Sequence, residues 1–163
     1  MACHLSKIYH LDNNKCVLAS LFHDISAIMS VEKMYEIAKQ RDFDIDESEE
    51  KYHFLLHQRI SCIMSREWFG VVDMDILSAI ECHTTLKKDA SAYDRVVFLA
   101  DKLAWDQAGM PPYFNELKSI CERSLEEGCY WFLKYQFDHQ RLLMPHQWLL
   151  EAYQQLKDME KVK

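Results

Sequence analysis

Only three glycines and three prolines occur among the 163 residues. Sheets joined by tight turns consume both residue types, because glycine enters the left-handed backbone region without strain and proline presets a turn dihedral. A chain this poor in either is expected to fold from helices joined by short polar connections. The predicted fold class is therefore all-α, a helical bundle. No repeat, low-complexity tract or linker divides the sequence, and its length suits one core that buries roughly two thirds of the unfolded surface. A single domain over 1–163 is the expectation.

Apolar spacing places the helices. Leu5, Ile8 and Tyr9 share one face, and Asp12-Asn13-Asn14 ends it before Val17, Leu18, Leu21 and Phe22 begin another. Ser30 reads as the N-cap of a helix carrying Met34, Ile37 and Ala38. The acidic stretch from Asp42 to Glu50 reads as a solvated loop or helix entry. Tyr52, Leu55, Leu56, Ile60 and Ile63 predict one continuous helix from Glu50 to Met64, closed by Gly70. Asp73 caps the next segment, and Ser91 with Asp94 forms a capping-box pattern ahead of RVVFLADKL, which places Asp101 well inside a helix. Pro111-Pro112 predicts the start of a long helix through the 130s with Gly128 as a kink, and Pro145 the start of a final one.

Composition excludes several functions. The net charge of −7 opposes a nonspecific grip on a nucleic acid polymer. The six cysteines form no C-x-x-C pair and read as reduced core thiols. With no signal peptide and no apolar run of the ~20 residues a bilayer span needs, the expected location is cytoplasmic, away from membranes. There is no Gly-rich phosphate loop, no G-x-S-x-G and no H-E-x-x-H. The aromatic residues Tyr130, Trp131, Tyr135, Trp148 and Tyr153 read as core or as a subunit contact, which leaves a homodimer open.

The chemistry starts from LFHDIS, where His23 precedes Asp24. About 0.6 such dipeptides are expected by chance from the His and Asp content, so the pair alone decides nothing. Its company carries more weight: His57, His83 and Asp101 each fall at or beside a segment that should face the core. Any one histidine is more simply a satisfied core residue. Several imidazoles and carboxylates near one core require either a hydrogen-bonded network or a metal. Nitrogen and carboxylate ligands without thiolate suit Fe, Mn, Co or Zn.

The segments ASLFHDIS, HQRIS, DILSAIECHTT and DRVVFLAD, in that order over about residues 1–110, resemble the HD-domain metal-dependent phosphohydrolases, and within them the YqeK-type symmetrical dinucleoside tetraphosphatases. The resemblance implies an all-helical HD domain with a metal-site core over about 1–110 and C-terminal helices over about 111–160. It also implies a centre of one or two divalent ions, commonly iron, that hydrolyses diadenosine tetraphosphate to two ADP. His23, Asp24 and Asp101 would hold a first ion, and Asp24, the central catalytic ligand, would bridge to a second held by His57 and His83. Arg59 and Lys87 would neutralise polyphosphate charge, and Thr84 would hydrogen-bond a phosphate oxygen.

Three departures accompany the resemblance. A further ligand histidine, about 29 residues before the H-D pair in the family, has no counterpart in this sequence, and His4 and His10 stand at the wrong positions. A late-assigned start, a weakly held first ion or a catalytically weakened domain that binds a nucleotide or protein would each account for it. Ala27 replaces a lysine, and KLAWDQAG replaces an acidic-proline-arginine stretch, leaving Lys102 as the substitute for a phosphate-binding arginine.

Overall fold

In a computed structural model that describes residues 1–104 and 109–161, the chain is all-α. The ten α-helices among the described residues are α1 (Ala2–Ile8), α2 (Asn13–Phe22), α3 (Val31–Gln40), α4 (Glu47–Lys51), α5 (His57–Phe69), α6 (Met74–Glu81), α7 (Ala92–Leu103), α8 (Phe114–Cys121), α9 (Leu125–Asp138) and α10 (Gln147–Glu160). Two 3-10 turns, Ile25–Ile28 and His53–Leu56, follow α2 and precede α5. Among the described residues no helix is long and apolar enough to cross a membrane.

Side chains at the helix starts satisfy backbone N–H groups that a helix cannot pair internally. Ser30 accepts from the Lys33 amide, Asp73 from Asp75, and Ser91 and Asp94 form a reciprocal capping box. Gly70 ends α5 at φ 67°, a left-handed position that costs glycine nothing. These boundaries match the sequence expectations.

Three differ. The segment expected as one helix from Glu50 to Met64 is α4, a 3-10 turn and then α5, because Asp46 and Glu49 form a second capping box that starts a short helix of its own. The break puts His57 at the first position of α5. The long helix expected from Pro111 is α8 and α9, with Ser124 capping α9 through the Glu127 amide. Gly128 lies in the first turns of α9; a Cβ there would stand 2.8 Å from Cys121 Sγ, so glycine permits the close approach of α8 and α9. Pro145 precedes α10, whose N-cap is His146, accepting the Trp148 amide at Nδ1.

The acidic stretch is also not wholly solvated. Glu49 is fully buried, accepts from Arg59 Nη1 at 2.8 Å and faces His146 Nε2 at 3.6 Å. Arg59 lies over the Phe43 and Trp148 rings and donates to the Asp44 carbonyl. Burying a carboxylate is tolerable only with such partners. This cluster joins α4, α5 and the start of α10.

Apolar packing divides into three neighbouring clusters. The largest joins Leu5 of α1 and Phe98 and Leu99 of α7 to Leu117, Leu133 and Leu156 of the C-terminal helices. A second packs Ala19 of α2 against Leu77 and Ile80 of α6 and Val97 of α7. A third packs Met34 and Ala38 of α3 on Leu56, Ile60 and Met64. Each fully buried leucine or phenylalanine contributes about 1.5–3 kcal/mol of transfer free energy. The aromatic residues of the last helices pack on one another, Tyr153 against Tyr130 and Phe137. All six cysteines are free, and five of them are buried.

Gly128→Ala is expected to lower stability by about 1–2 kcal/mol, the overlap with Cys121 outweighing the roughly 1 kcal/mol of helix propensity that alanine brings. Adding Cys121→Ala should recover part of the loss. Urea unfolding of the single and double variants checks this, and a stabilised single variant would contradict the close-approach account.

Candidate metal centre

The five residues singled out as ligands stand at helix ends. His23 caps the C-terminus of α2, with Asp24 opening the 3-10 turn that follows. His57 opens α5, His83 lies two residues beyond α6, and Asp101 sits in the last turn of α7. Each of the three imidazoles uses a carbonyl of the turn that precedes it. His23 Nδ1 donates to Ser20 O at 2.7 Å, His57 Nδ1 to Phe54 O at 2.7 Å and His83 Nδ1 to Ile80 O at 2.8 Å. In all three the partner is the carbonyl three residues earlier. With the proton fixed on Nδ1, the neutral ring presents a lone pair at Nε2.

Those Nε2 atoms converge on Asp24. Its Oδ1 lies 3.4 Å from His57 Nε2 and 3.3 Å from His83 Nε2, and its Oδ2 lies 3.4 Å from His23 Nε2. Asp101 Oδ1 is 3.4 Å from the same His23 atom. His57 and His83 bring their Nε2 atoms to 3.0 Å. Lone pairs and carboxylate oxygens this close repel one another unless a cation is shared among them. The donor set of imidazole nitrogen and carboxylate oxygen, each ring oriented by a carbonyl behind it, fits a borderline divalent metal. His23, Asp24 and His83 form the metal-ligand grouping found among the described residues.

The electrostatics agree. Burial holds His57 down at about 4, helped by its neighbour His83, and burial likewise lowers His83. Both rings are thus neutral at neutral pH, the form that binds a metal. His23 behaves oppositely: burial lowers it, but the contacts with Asp101 and Asp24 outweigh that and raise it above its ordinary value. A positive charge is favoured at that Nε2. Asp101 is held well below the carboxylate range despite its burial, mainly by the charge of Lys102.

Residues not singled out in the sequence hold these elements in register. Gln58, fully buried on α5, accepts the Thr84 amide at 3.0 Å and the Thr85 amide at 3.3 Å on Oε1 and donates from Nε2 to Thr85 Oγ1 at 3.1 Å. It thereby fixes the turn that carries His83 to the helix that starts at His57. Buried Ser26 donates to the His57 carbonyl at 2.9 Å and receives the Ser61 hydroxyl at 2.9 Å, joining the His-Asp turn to α5. Nothing in the sequence pairs these positions.

The residues expected to meet substrate separate into two groups. The Thr84 hydroxyl donates to His57 Nε2 at 3.0 Å, and Lys102 donates to Asp101 Oδ2 at 2.6 Å, so both border the ligands. Arg59 is engaged by buried Glu49 and lines a different cleft, beside His146 and Trp148. Lys87 faces Glu81 at 3.8 Å in a third depression with Arg66 and Ser78. His4 bonds Glu122 and His10 is exposed, both away from the ligands. Ala27 is exposed. Of the KLAWDQAG segment, residues 105–108 lie outside the described residues.

Beside the ligands a cavity of about 680 Å³ opens between α1, α2 and α7. His23, Asp24, Asp101 and Lys102 form its charged end, and Val17, Leu21, Val97, Ala100 and Tyr113 form apolar walls. Half of the Asp24 side chain is exposed, so the ligand cluster is open to a visitor.

A family model described as the HD domain matches residues 1–106. An uncharacterized protein in the pepC 5' region of Lactococcus lactis subsp. cremoris is 32% identical over 148 residues, 91% of this chain and 75% of that one. A Halalkalibacterium halodurans protein named bis(5'-nucleosyl)-tetraphosphatase, symmetrical, is 30% identical over 102 residues, 61% of this chain. The match spans about half of that relative, 53% of its length. Among solved structures, a predicted HD superfamily hydrolase involved in NAD metabolism from Clostridium acetobutylicum superposes with a TM-score of 0.85 at 25% identity, covering 97% of this chain and 84% of that one.

Two outcomes follow from the geometry. Gln58→Ala is expected to leave the chain folded but to weaken metal affinity by about 10–100-fold, the usual scale for a residue that orients ligands; unchanged affinity in a metal titration would show that the turn needs no tether. The pH dependence has a definite sign. Below about pH 6.5 an unfolded chain protonates His57 and His83, whereas the folded chain resists until about 4 at His57, so stability falls as the pH drops between those values. His23, raised rather than lowered, opposes this and loses its contribution as pH rises through its folded value. With two depressed rings against one raised, the urea midpoint in chelator is expected to be lower at pH 5 than at pH 7.5, and His57→Gln should reduce the difference.

Proposed function

The chain belongs to the HD-domain family, as a hydrolase of that superfamily, and on that premise we propose that it is a metal-dependent phosphohydrolase that cleaves diadenosine tetraphosphate symmetrically into two ADP, or acts on a closely related nucleotide. The observation that carries the reading is the convergence of three imidazole Nε2 atoms and two carboxylates at one end of an open cavity. The name of the Halalkalibacterium relative, symmetrical bis(5'-nucleosyl)-tetraphosphatase, supports the substrate.

His23, Asp24, His57, His83 and Asp101 are the residues that would hold the metal, with iron the first expectation and Mn, Co or Zn compatible with the same donors. When bound, such an ion lowers the pKa of a coordinated water and polarises a phosphoryl oxygen. The chain's own residues do the rest. Asp24 presents one oxygen to His57 and His83 and the other to His23, so it links all three imidazoles. The Thr84 hydroxyl, beside His57, is placed to donate to a phosphate oxygen. Val17, Leu21, Val97 and Tyr113 offer apolar walls that suit a nucleoside, with the charged end of the cavity left for phosphate. On a chain of net charge −7, the attraction for a polyanion must be local to that end.

A second reading is a weakened HD domain that binds nucleotide or a partner protein without turnover. It is favoured by one observation: the α1 side of the cavity, beside the charged end, is lined by the uncharged Met1, Ala2 and Cys3.

The two are separated by purifying the protein with iron or manganese, measuring bound metal and identifying products from diadenosine tetraphosphate. Bound metal with ADP as the sole nucleotide product, and a loss of at least about a hundredfold in Asp24→Ala, is the expected result. Nucleotide binding without turnover would favour the second reading. AMP plus ATP would overturn the symmetrical assignment.

A further inference from the structure

One cation is already built into the ligand cluster. Lys102 follows Asp101 in the last turn of α7, and its ammonium donates to Asp101 Oδ2 at 2.6 Å and to the His83 carbonyl at 3.3 Å. Its side chain is only 16% exposed and its head stands 5.2 Å from the Phe98 ring centroid. It is therefore fixed against two members of the proposed ligand set, not extended into solvent. It also occupies one of the two oxygens that Asp101 has to offer, leaving Oδ1 for His23.

The charge count follows. Imidazoles binding through Nε2 bring no charge, so Asp24 and Asp101 supply the negative charge of the cluster, and Lys102 cancels half of it. Two divalent ions there would face a fixed ammonium across a single carboxylate, a like-charge contact that low dielectric strengthens. The ligand atoms of His23, Asp24 and His83 all lie within 4.8 Å of one another, and Lys102 sets its charge at the Asp101 edge of that group.

We propose that Lys102 is a resident cation that takes the place of a second metal ion, so that this chain holds a single divalent ion. The inference rests on reading the cluster as a metal centre. It assigns Lys102 a role in setting metal stoichiometry, where the sequence suggested a substitute for a phosphate-binding arginine.

The test is metal content of the full chain loaded with manganese, desalted and measured against protein concentration, with electron paramagnetic resonance to detect coupled ion pairs. The wild type and Lys102→Arg, which keeps the charge, are expected to hold about one ion per chain. Lys102→Gln and Lys102→Met, which remove it, are expected to hold about two and to give a coupled signal. Two ions in the wild type, or one ion in every variant, would overturn the role of Lys102 while leaving the metal centre standing. No bound ion in the wild type with manganese, iron, cobalt or zinc would overturn the metal-centre reading itself.

Discussion

Three hydrogen bonds of the same form govern the centre of this molecule. Each of His23, His57 and His83 gives its Nδ1 proton to the carbonyl three residues earlier, within 2.8 Å. The bond fixes ring orientation and places a proton on Nδ1, so each ring turns its Nε2 inward. The Ser20 and Ile80 carbonyls belong to the last turns of α2 and α6, whereas the Phe54 carbonyl belongs to the 3-10 turn ahead of α5 and also accepts the His57 amide. The turns that end these elements thus also orient the three imidazoles.

Keeping lone pairs in mutual contact requires a stiff surround, and the structure supplies it through buried polar side chains. Gln58 ties α5 to the His83 turn, Ser26 and Ser61 tie α5 to the His-Asp turn, and Lys102 ties α7 to the His83 carbonyl. Each of these groups would be costly if buried alone, and each is satisfied by a neighbour that positions a ligand. The apolar clusters on either side set the distance between the helices; the polar ties set their register.

Much of this was legible in the sequence where the signal is local. Ser30, Asp73, Ser91 and Gly70 mark helix boundaries because capping chemistry is decided within three or four residues. The order His23-Asp24, His57, His83, Asp101 identified the residues that the fold brings together. What the sequence did not reveal depends on contacts between distant segments. Glu49 looked solvated because its partners, Arg59 and His146, are 10 and 97 positions away. Arg59 looked available for phosphate for the same reason. The break before His57 arises from a capping box whose Asp and Glu resemble any other part of an acidic stretch, and Gly128 reads as a kink until the neighbouring helix is seen to press on it.

The cluster of Glu49, Arg59 and His146 bears on where this chain can be cut. The family match ends at residue 106, yet His146 and Trp148 stand against a carboxylate and a guanidinium that belong to α4 and α5. Leu5, Phe98 and Leu99 likewise pack on leucines of the last three helices. A fragment ending at 106 would keep all five proposed ligands, but it would expose that apolar face and open the surroundings of Glu49 and Arg59 to water. The smallest piece that preserves the site chemically is therefore shorter than the smallest piece that preserves it physically.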